Sequence, residues 1–252
     1  MIILPDMKLH LLGSTGYHPN ERRHTACFML PEIGVVLDAG TGMFRVRDLL
    51  QTDTLDIFLS HAHLDHIFGL TFLFDVLHEK PMRQVRVHGD AVKLAAINTH
   101  LFAPDLFPVK PPFDWTPLVG PVTLADGATL THFPLEHPGG SLGLRIDWPD
   151  RSLAYVTDTT ARAAAPYIDQ IRGVDTLIHE CYFPDGWDEW AAKTGHSCTT
   201  PVAQVAQAAD VGKLVLVHVN PLSKDEDPIG LDVAQRVFPN TVLGVDGMIV
   251  EV

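Results

Sequence analysis

Residues 60–66 read S-H-A-H-L-D-H directly after the short apolar run 56–59, so a strand hands a cluster of metal-ligating side chains to the turn beyond it. His61, His63, Asp65 and His66 are all ligand types for a hard-to-borderline divalent cation. The composition of this chain would produce H-x-H-x-D-H by chance with a probability on the order of four in a thousand. In an extended segment His61 and His63, two apart, point the same way, while Asp65 and His66 turn onto the first helical residues and aim at a neighbouring point. Two metal positions follow. A binuclear centre takes about six to eight protein ligands, so the fold must bring further donors from distant segments to this one.

The rest of the chain is patterned to do that. Apolar, β-branched runs with Gly, Asp or Pro stops predict strands at 8–12, 26–30, 34–38, 56–59 and 84–88, and helical spacing predicts helices at 44–50, 65–77 and 91–101. The second half repeats the scheme. Strands are expected at 129–135, 142–147, 152–157, 176–180, 213–218 and 241–252, with helices near 163–172, 187–193, 200–209 and 231–238. This is an α/β chain of two helix-faced sheets, one domain over 1–252 with halves at roughly 1–120 and 121–252. Residues 102–121, with six prolines and Phe102, Phe107, Phe113 and Trp115, read as an ordered loop between the halves, an apolar cover over the core rather than a substrate lid. Met43, Phe72 and Phe74 read as core.

Three strand ends in the second half offer the missing donors. His137 follows the strand 129–135 and precedes Pro138-Gly139-Gly140, a turn that leaves its imidazole at a sheet edge. Asp158 stops the apolar strand A-Y-V-T, where a carboxylate can bridge two cations or cap a helix. His218 closes L-V-L-V-H, and a lone imidazole there fits a metal site or a satisfied core histidine. Of the remaining histidines, 10, 18, 24, 78, 88, 100, 132 and 179 read as structural or solvated, with His24 and Arg23, in the 13–25 loop, also candidates for a phosphate contact.

The order H-x-H-x-D-H, His137, Asp158, His218 resembles the metallo-β-lactamase superfamily over nearly the whole chain. L-G-S-T-G from Leu12, V-V-L-D-A-G-T-G from Val35, F-P-L-E-H from Phe133, L-I-H-E from Leu177 and G-H-S-C-T-T from Gly195 are similar to its ribonuclease Z-like and cyclic phosphodiesterase branch. The resemblance implies a four-layer αβ/βα sandwich of two mixed β-sheets with the site between their edges. It implies two divalent ions, by family default Zn2+ with Mn2+ or Fe2+ as alternatives, one held by His61, His63 and His137, the other by Asp65, His66 and His218. Asp158 would stand between them, and a hydroxide would be shared by both ions. Catalytic roles fall to Asp65 and to an acid pair, His196 and Glu180, in which the carboxylate orients the imidazole and raises its pKa so that the free ring nitrogen can protonate a leaving alkoxide. The plain alternatives are a helix cap for His196 and a surface acid for Glu180.

The chain departs from the transfer-RNA-processing members of that branch, which carry a long protruding arm between the fifth ligand and the bridging aspartate. Only 20 residues separate His137 from Asp158. A formal net charge of −13 likewise opposes a long polyanion, because affinity for nucleic acid rests on Lys and Arg neutralising phosphates. The expected reaction is hydrolysis of a small or cyclic phosphodiester. A carboxyl ester, thioester or lactone hydrolase is the rival, followed by a ribonuclease Z-type tRNA 3′ endonuclease and by a non-enzymatic small-molecule binder. Three separated cysteines without C-x-x-C, no signal-like start in residues 1–12 and no run long enough to span a bilayer point to a cytoplasmic protein without a membrane partner. Relatives are commonly homodimers, and the resemblance extends that expectation to this chain.

Overall fold

The computed structural model describes residues 7–252, so the first six residues of the stretch considered for a targeting signal lie outside the described part. Its strands are β1 (Lys8–Gly13), β2 (Cys27–Leu30), β3 (Val35–Leu37), β4 (Thr54–Phe58), β5 (Gln84–Gly89), β6 (Asp114–Pro117), β7 (Val122–Thr123), β8 (Thr129–Leu135), β9 (Ser141–Asp147), β10 (Ser152–Val156), β11 (Thr176–Glu180), β12 (Lys213–Val217), β13 (Thr241–Leu243) and β14 (Ile249–Glu251).

Alternation along these strands builds the layers. Successive side chains leave opposite faces of a strand, so strands apolar at every position are covered on both. Leu9, Leu11, Val35, Leu37 and Phe58 of the first sheet share one buried cluster with Leu130, Leu144, Tyr155, Ile178, Val215 and Val217 of the second. Their alternates diverge. Leu12, Val36 and Ile57 pack outward under the first half's helices, whereas Leu177, Leu214 and Leu216 pack under the second half's. Helices, sheet, sheet and helices therefore follow in four layers.

Both sheets have seven strands, in the orders β14-β1-β2-β3-β4-β5-β6 and β13-β12-β11-β10-β9-β8-β7. Each is mixed. The strands from β3 to β6 run parallel, as do those from β10 to β13, and the remaining neighbours are antiparallel.

Several expected elements change form for local reasons. The run 241–252 is two strands, broken at Gly247, whose φ of 84° suits the turn, and β14 crosses to pair with β1 of the first sheet. Within 102–121, β6 adds a parallel edge strand to β5, while Phe102 is fully buried and Phe107, Phe113 and Trp115 pack beside it, the cover expected of this segment. The helix expected at 163–172 is a single 3-10 turn, Pro166–Asp169, because proline has no N–H to continue an upstream helix. The helix expected at 65–77 is split into Leu64–Ile67, the 3-10 turn Phe68–Phe72 and Leu73–Val76. Phe74 is half-exposed rather than core. The helices Asp188–Thr194, Thr199–Ala208 and Leu231–Val237 lie within about a residue of expectation. No helix among the described residues is long and apolar enough to cross a membrane.

Candidate metal centre

Strand direction gathers the candidate donors on one rim. β8 and β10 are both antiparallel to β9, so they run the same way as each other and as β11 and β12. His137, Asp158, Glu180 and His218 then all stand at carboxyl ends, facing the segment that follows β4 from the other sheet. The turns are forced. Asp38, Asp158 and His218, each just past a strand, have φ of 56°, 47° and 57°, a left-handed backbone that side-chain-bearing residues adopt only where the surroundings compel it.

Two donor clusters result. His61, His63, His137 and Asp158 form one, and Asp65, His66 and His218 the other, with His196 within ligand-sharing distance of Asp158 and His218 beside them. Asp158 divides its oxygens between them: Oδ2 lies 3.5 Å from Nε2 of both His61 and His137, while Oδ1 lies 3.2 Å from His66 Nε2 and 3.3 Å from His218 Nε2. His63 Nδ1 is 3.3 Å from His137 Nε2, His66 Nε2 is 3.1 Å from His218 Nε2, and Asp65 Oδ2 is 3.3 Å from both His66 and His218. Donors placed tetrahedrally at about 2.0–2.1 Å from a cation stand about 3.3 Å apart, which is the spacing found here. His61 Nε2 is buried with no hydrogen-bond partner among the described residues, an arrangement that is costly unless a cation fills it. The donor set fits divalent metal.

The electrostatics agree for the first cluster and for both carboxyls, whereas at His66 burial is outweighed by Asp158, Asp65 and Asp38, which hold its imidazole above the ordinary value. Burial, reinforced for His61 by His66 and for His63 by His137, holds His61, His63 and His137 below the ordinary imidazole value, so they present the neutral lone pairs that metal ligation requires. Burial would raise the Asp65 and Asp158 carboxyls, but the surrounding histidines outweigh it and hold both well below the usual range.

Three of the imidazoles are also held from behind. His61 Nδ1 contacts Ser60 Oγ at 3.0 Å, His137 Nδ1 meets the Gly195 carbonyl at 2.9 Å, and His66 Nδ1 meets Asp38 Oδ2 at 2.7 Å. Asp38, absent from the expected site, is fully buried and accepts from Ser60 N, Ser60 Oγ and Tyr155 Oη at 2.7, 2.7 and 2.8 Å. It ties the cluster to both sheets. Groups that orient ligands in this way cost about 10–100-fold in metal affinity or activity when removed. An Asp38→Ala variant is expected to show that loss in a metal titration or a turnover assay, with the cluster imidazoles themselves retained.

The motif glycines have a steric reason. A Cβ on Gly16 would stand 2.3 Å from the His218 ring, and one on Gly40 would stand 2.3 Å from the Asp65 carbonyl oxygen. The loop carrying Gly16 also gives the Tyr17 N–H to Asp65 Oδ2 at 2.8 Å. His24 and Arg23, candidates for a phosphate contact, are otherwise engaged. Arg23 is buried with Nη1 on Ser14 Oγ and the Gly244 carbonyl, and His24 Nδ1 faces Thr41 Oγ1.

His196 and Glu180 meet beside the clusters, with Nδ1 3.2 Å from Oε1. Glu180 is fully buried and also accepts from the Thr159 and Ser197 amides, so it is no surface acid. Nor does His196 cap the helix Thr199–Ala208, whose capping residue is Cys198. Burial lowers the His196 pKa, but Glu180, followed by Asp158 and Asp65, outweighs it and holds the imidazole up to about 8.

Residues 34–219 match the family model described as Beta-lactamase superfamily domain. Ribonuclease Z of Archaeoglobus fulgidus is 26% identical, over 97% of each chain, and the alignment runs to 306 positions against the 252 residues here, so that relative carries insertions this chain lacks. Among solved structures, the metallo-beta-lactamase fold protein YhfI from Bacillus subtilis superposes with a TM-score of 0.80 at 21% identity, covering 97% of this chain and 99% of that one. A diphosphatase from the PhnP family gives 0.74 at 18% identity and 98% coverage of both.

Proposed function

We propose that this chain, which belongs to the beta-lactamase superfamily, is a metal-dependent hydrolase that cleaves a small or cyclic phosphodiester. The observation that carries the reading is the Asp158 carboxylate, one oxygen facing each of two imidazole clusters, with the His196–Glu180 pair beside them. His61, His63, His137 and Asp158 would hold one cation and Asp65, His66, His218 and Asp158 the other, with Zn2+ the first choice and Mn2+ or Fe2+ compatible with the same donors. When bound, such a pair supplies acidified water as nucleophile and positive charge against the phosphoryl oxygens.

The protein's own groups complete the reaction. Glu180 Oε1 faces His196 Nδ1, which fixes the ring and leaves Nε2 to give a proton to the departing alkoxide. A small substrate is supported by the short path from His137 to Asp158, taken up by β9, β10 and their turns with no room for an arm, and by the net charge of −13. A ribonuclease Z-type endonuclease is the second reading, favoured by the full-length similarity to the Archaeoglobus protein.

A substrate panel with the metal-loaded protein separates these. It compares bis-aryl phosphate, 2′,3′- and 3′,5′-cyclic nucleotides, a lactone, a thioester and precursor transfer RNA. Turnover favouring the small diesters is expected. Preference for the carbonyl compounds would displace the phosphodiester assignment, and preference for the transfer RNA would promote the second reading.

A further inference from the structure

Tyr182 lies where the two parts of the site meet, and nothing among the described residues uses its hydroxyl. Its ring stacks on His196 with centroids 4.7 Å apart and planes 15° apart, and lies 5.9 Å from the His218 ring. Phe183 meets it edge-on at 4.8 Å, and Trp187 stacks on Phe183 at 5.8 Å and 8°. The backbone is clamped as well. The amides of Tyr182 and Phe183 both donate to the Ser197 carbonyl at 3.1 Å, directly after β11. Such edge-to-face and offset packing holds an aromatic ring in one orientation. Tyr182 Oη, by contrast, has no hydrogen-bond partner among the described residues, and the side chain is half-buried rather than sealed.

Resting on the phosphodiester reading above, we propose that Tyr182 is a substrate-contacting residue with two separable parts: the hydroxyl donates a hydrogen bond to a phosphoryl oxygen, and the ring positions His196 for the leaving group. A hydroxyl on a ring that packs against both the proton-giving imidazole and His218 of the second donor cluster can meet the negative charge that grows during in-line displacement. Donors already in place are worth most there, because they need not reorganise as the charge develops.

The test compares Tyr182→Phe, which keeps the ring, with Tyr182→Leu, which removes both parts. Metal-loaded proteins, with metal content checked by elemental analysis, are assayed on aryl methyl phosphates of graded leaving-group pKa and titrated with inorganic phosphate by calorimetry. Tyr182→Phe is expected to lower kcat/KM by about 10–100-fold, the loss of one hydrogen bond to a charged group, with an unchanged leaving-group slope and weaker phosphate binding. Tyr182→Leu should also steepen the slope, since poor leaving groups depend most on His196. A Tyr182→Phe protein matching wild type in both kcat/KM and phosphate binding would overturn the hydroxyl's role, and an unchanged slope in Tyr182→Leu would overturn the ring's. If wild type turned over only carbonyl compounds, the phosphodiester reading would fall, and equal phosphate binding by wild type and Tyr182→Phe would then sink the Tyr182 contact separately.

Discussion

Asp158→Ala is expected to bring diester turnover down by about 10³-fold or more, the several kcal/mol that paired cations contribute to offsetting phosphoryl charge. Metal content should fall with it. The residue is 2% exposed and its oxygens face four imidazoles, so truncation takes from both clusters the one donor they share. Asp158→Asn separates charge from shape, because the amide keeps the volume but presents a single neutral oxygen. Elemental analysis beside kinetics checks the pattern. A variant holding the wild-type metal complement at wild-type rate would remove Asp158 from the centre. Extended treatment of wild type with a chelator should likewise abolish turnover, and added divalent cation should restore it.

His196→Ala is expected to cost about 10²–10⁴-fold in kcat on diesters with poor leaving groups, the usual contribution of a positioned general acid. The loss should shrink for activated aryl leaving groups, which depart without a proton, and metal content should stay unchanged. Its pH dependence has a defined sign. The Glu180-paired imidazole has a pKa raised to about 8, so the proton-donating form is full at lower pH and is lost as pH rises through that value. Bound cations repel the imidazolium and draw the value down, so the alkaline limb of kcat falls at or below about 8 and is absent in the variant. Full activity of His196→Ala on unactivated diesters would count against the proton-transfer role.

What was legible in the sequence was a repeated local event, an apolar strand ending at His or Asp. That signal lies within five to seven residues and survives without tertiary information, which is why His61, His63, Asp65, His66, His137, Asp158 and His218 could be named and why the structure brings them together. Asp38 carries the same signal, in V-V-L-D, yet its task depends on Ser60, His66 and Tyr155, and the last of these is 117 positions away. Tyr182 was hidden differently. In C-Y-F it looks like core, and only the fold shows its hydroxyl left without a partner among the described residues. Arg23 erred the other way, because a cation in a loop near the site suggests phosphate until Ser14 and the Gly244 carbonyl are seen to occupy it. Helix lengths failed where Pro166 and Gly69 intervened; at Gly69 a Cβ would stand 2.2 Å from the Gly40 carbonyl oxygen, a close approach that no helical periodicity reports.

The pairing of β14 with β1 has a consequence for synthesis. Residues 8–10 find their partners at 249–251, so the nascent first sheet carries an open edge until almost all of the second half has left the ribosome. Pairings this remote slow folding, and an exposed strand edge in the meantime invites association between chains. Refolding yield should therefore drop steeply with protein concentration, and should recover when a chaperone shields that edge during the wait.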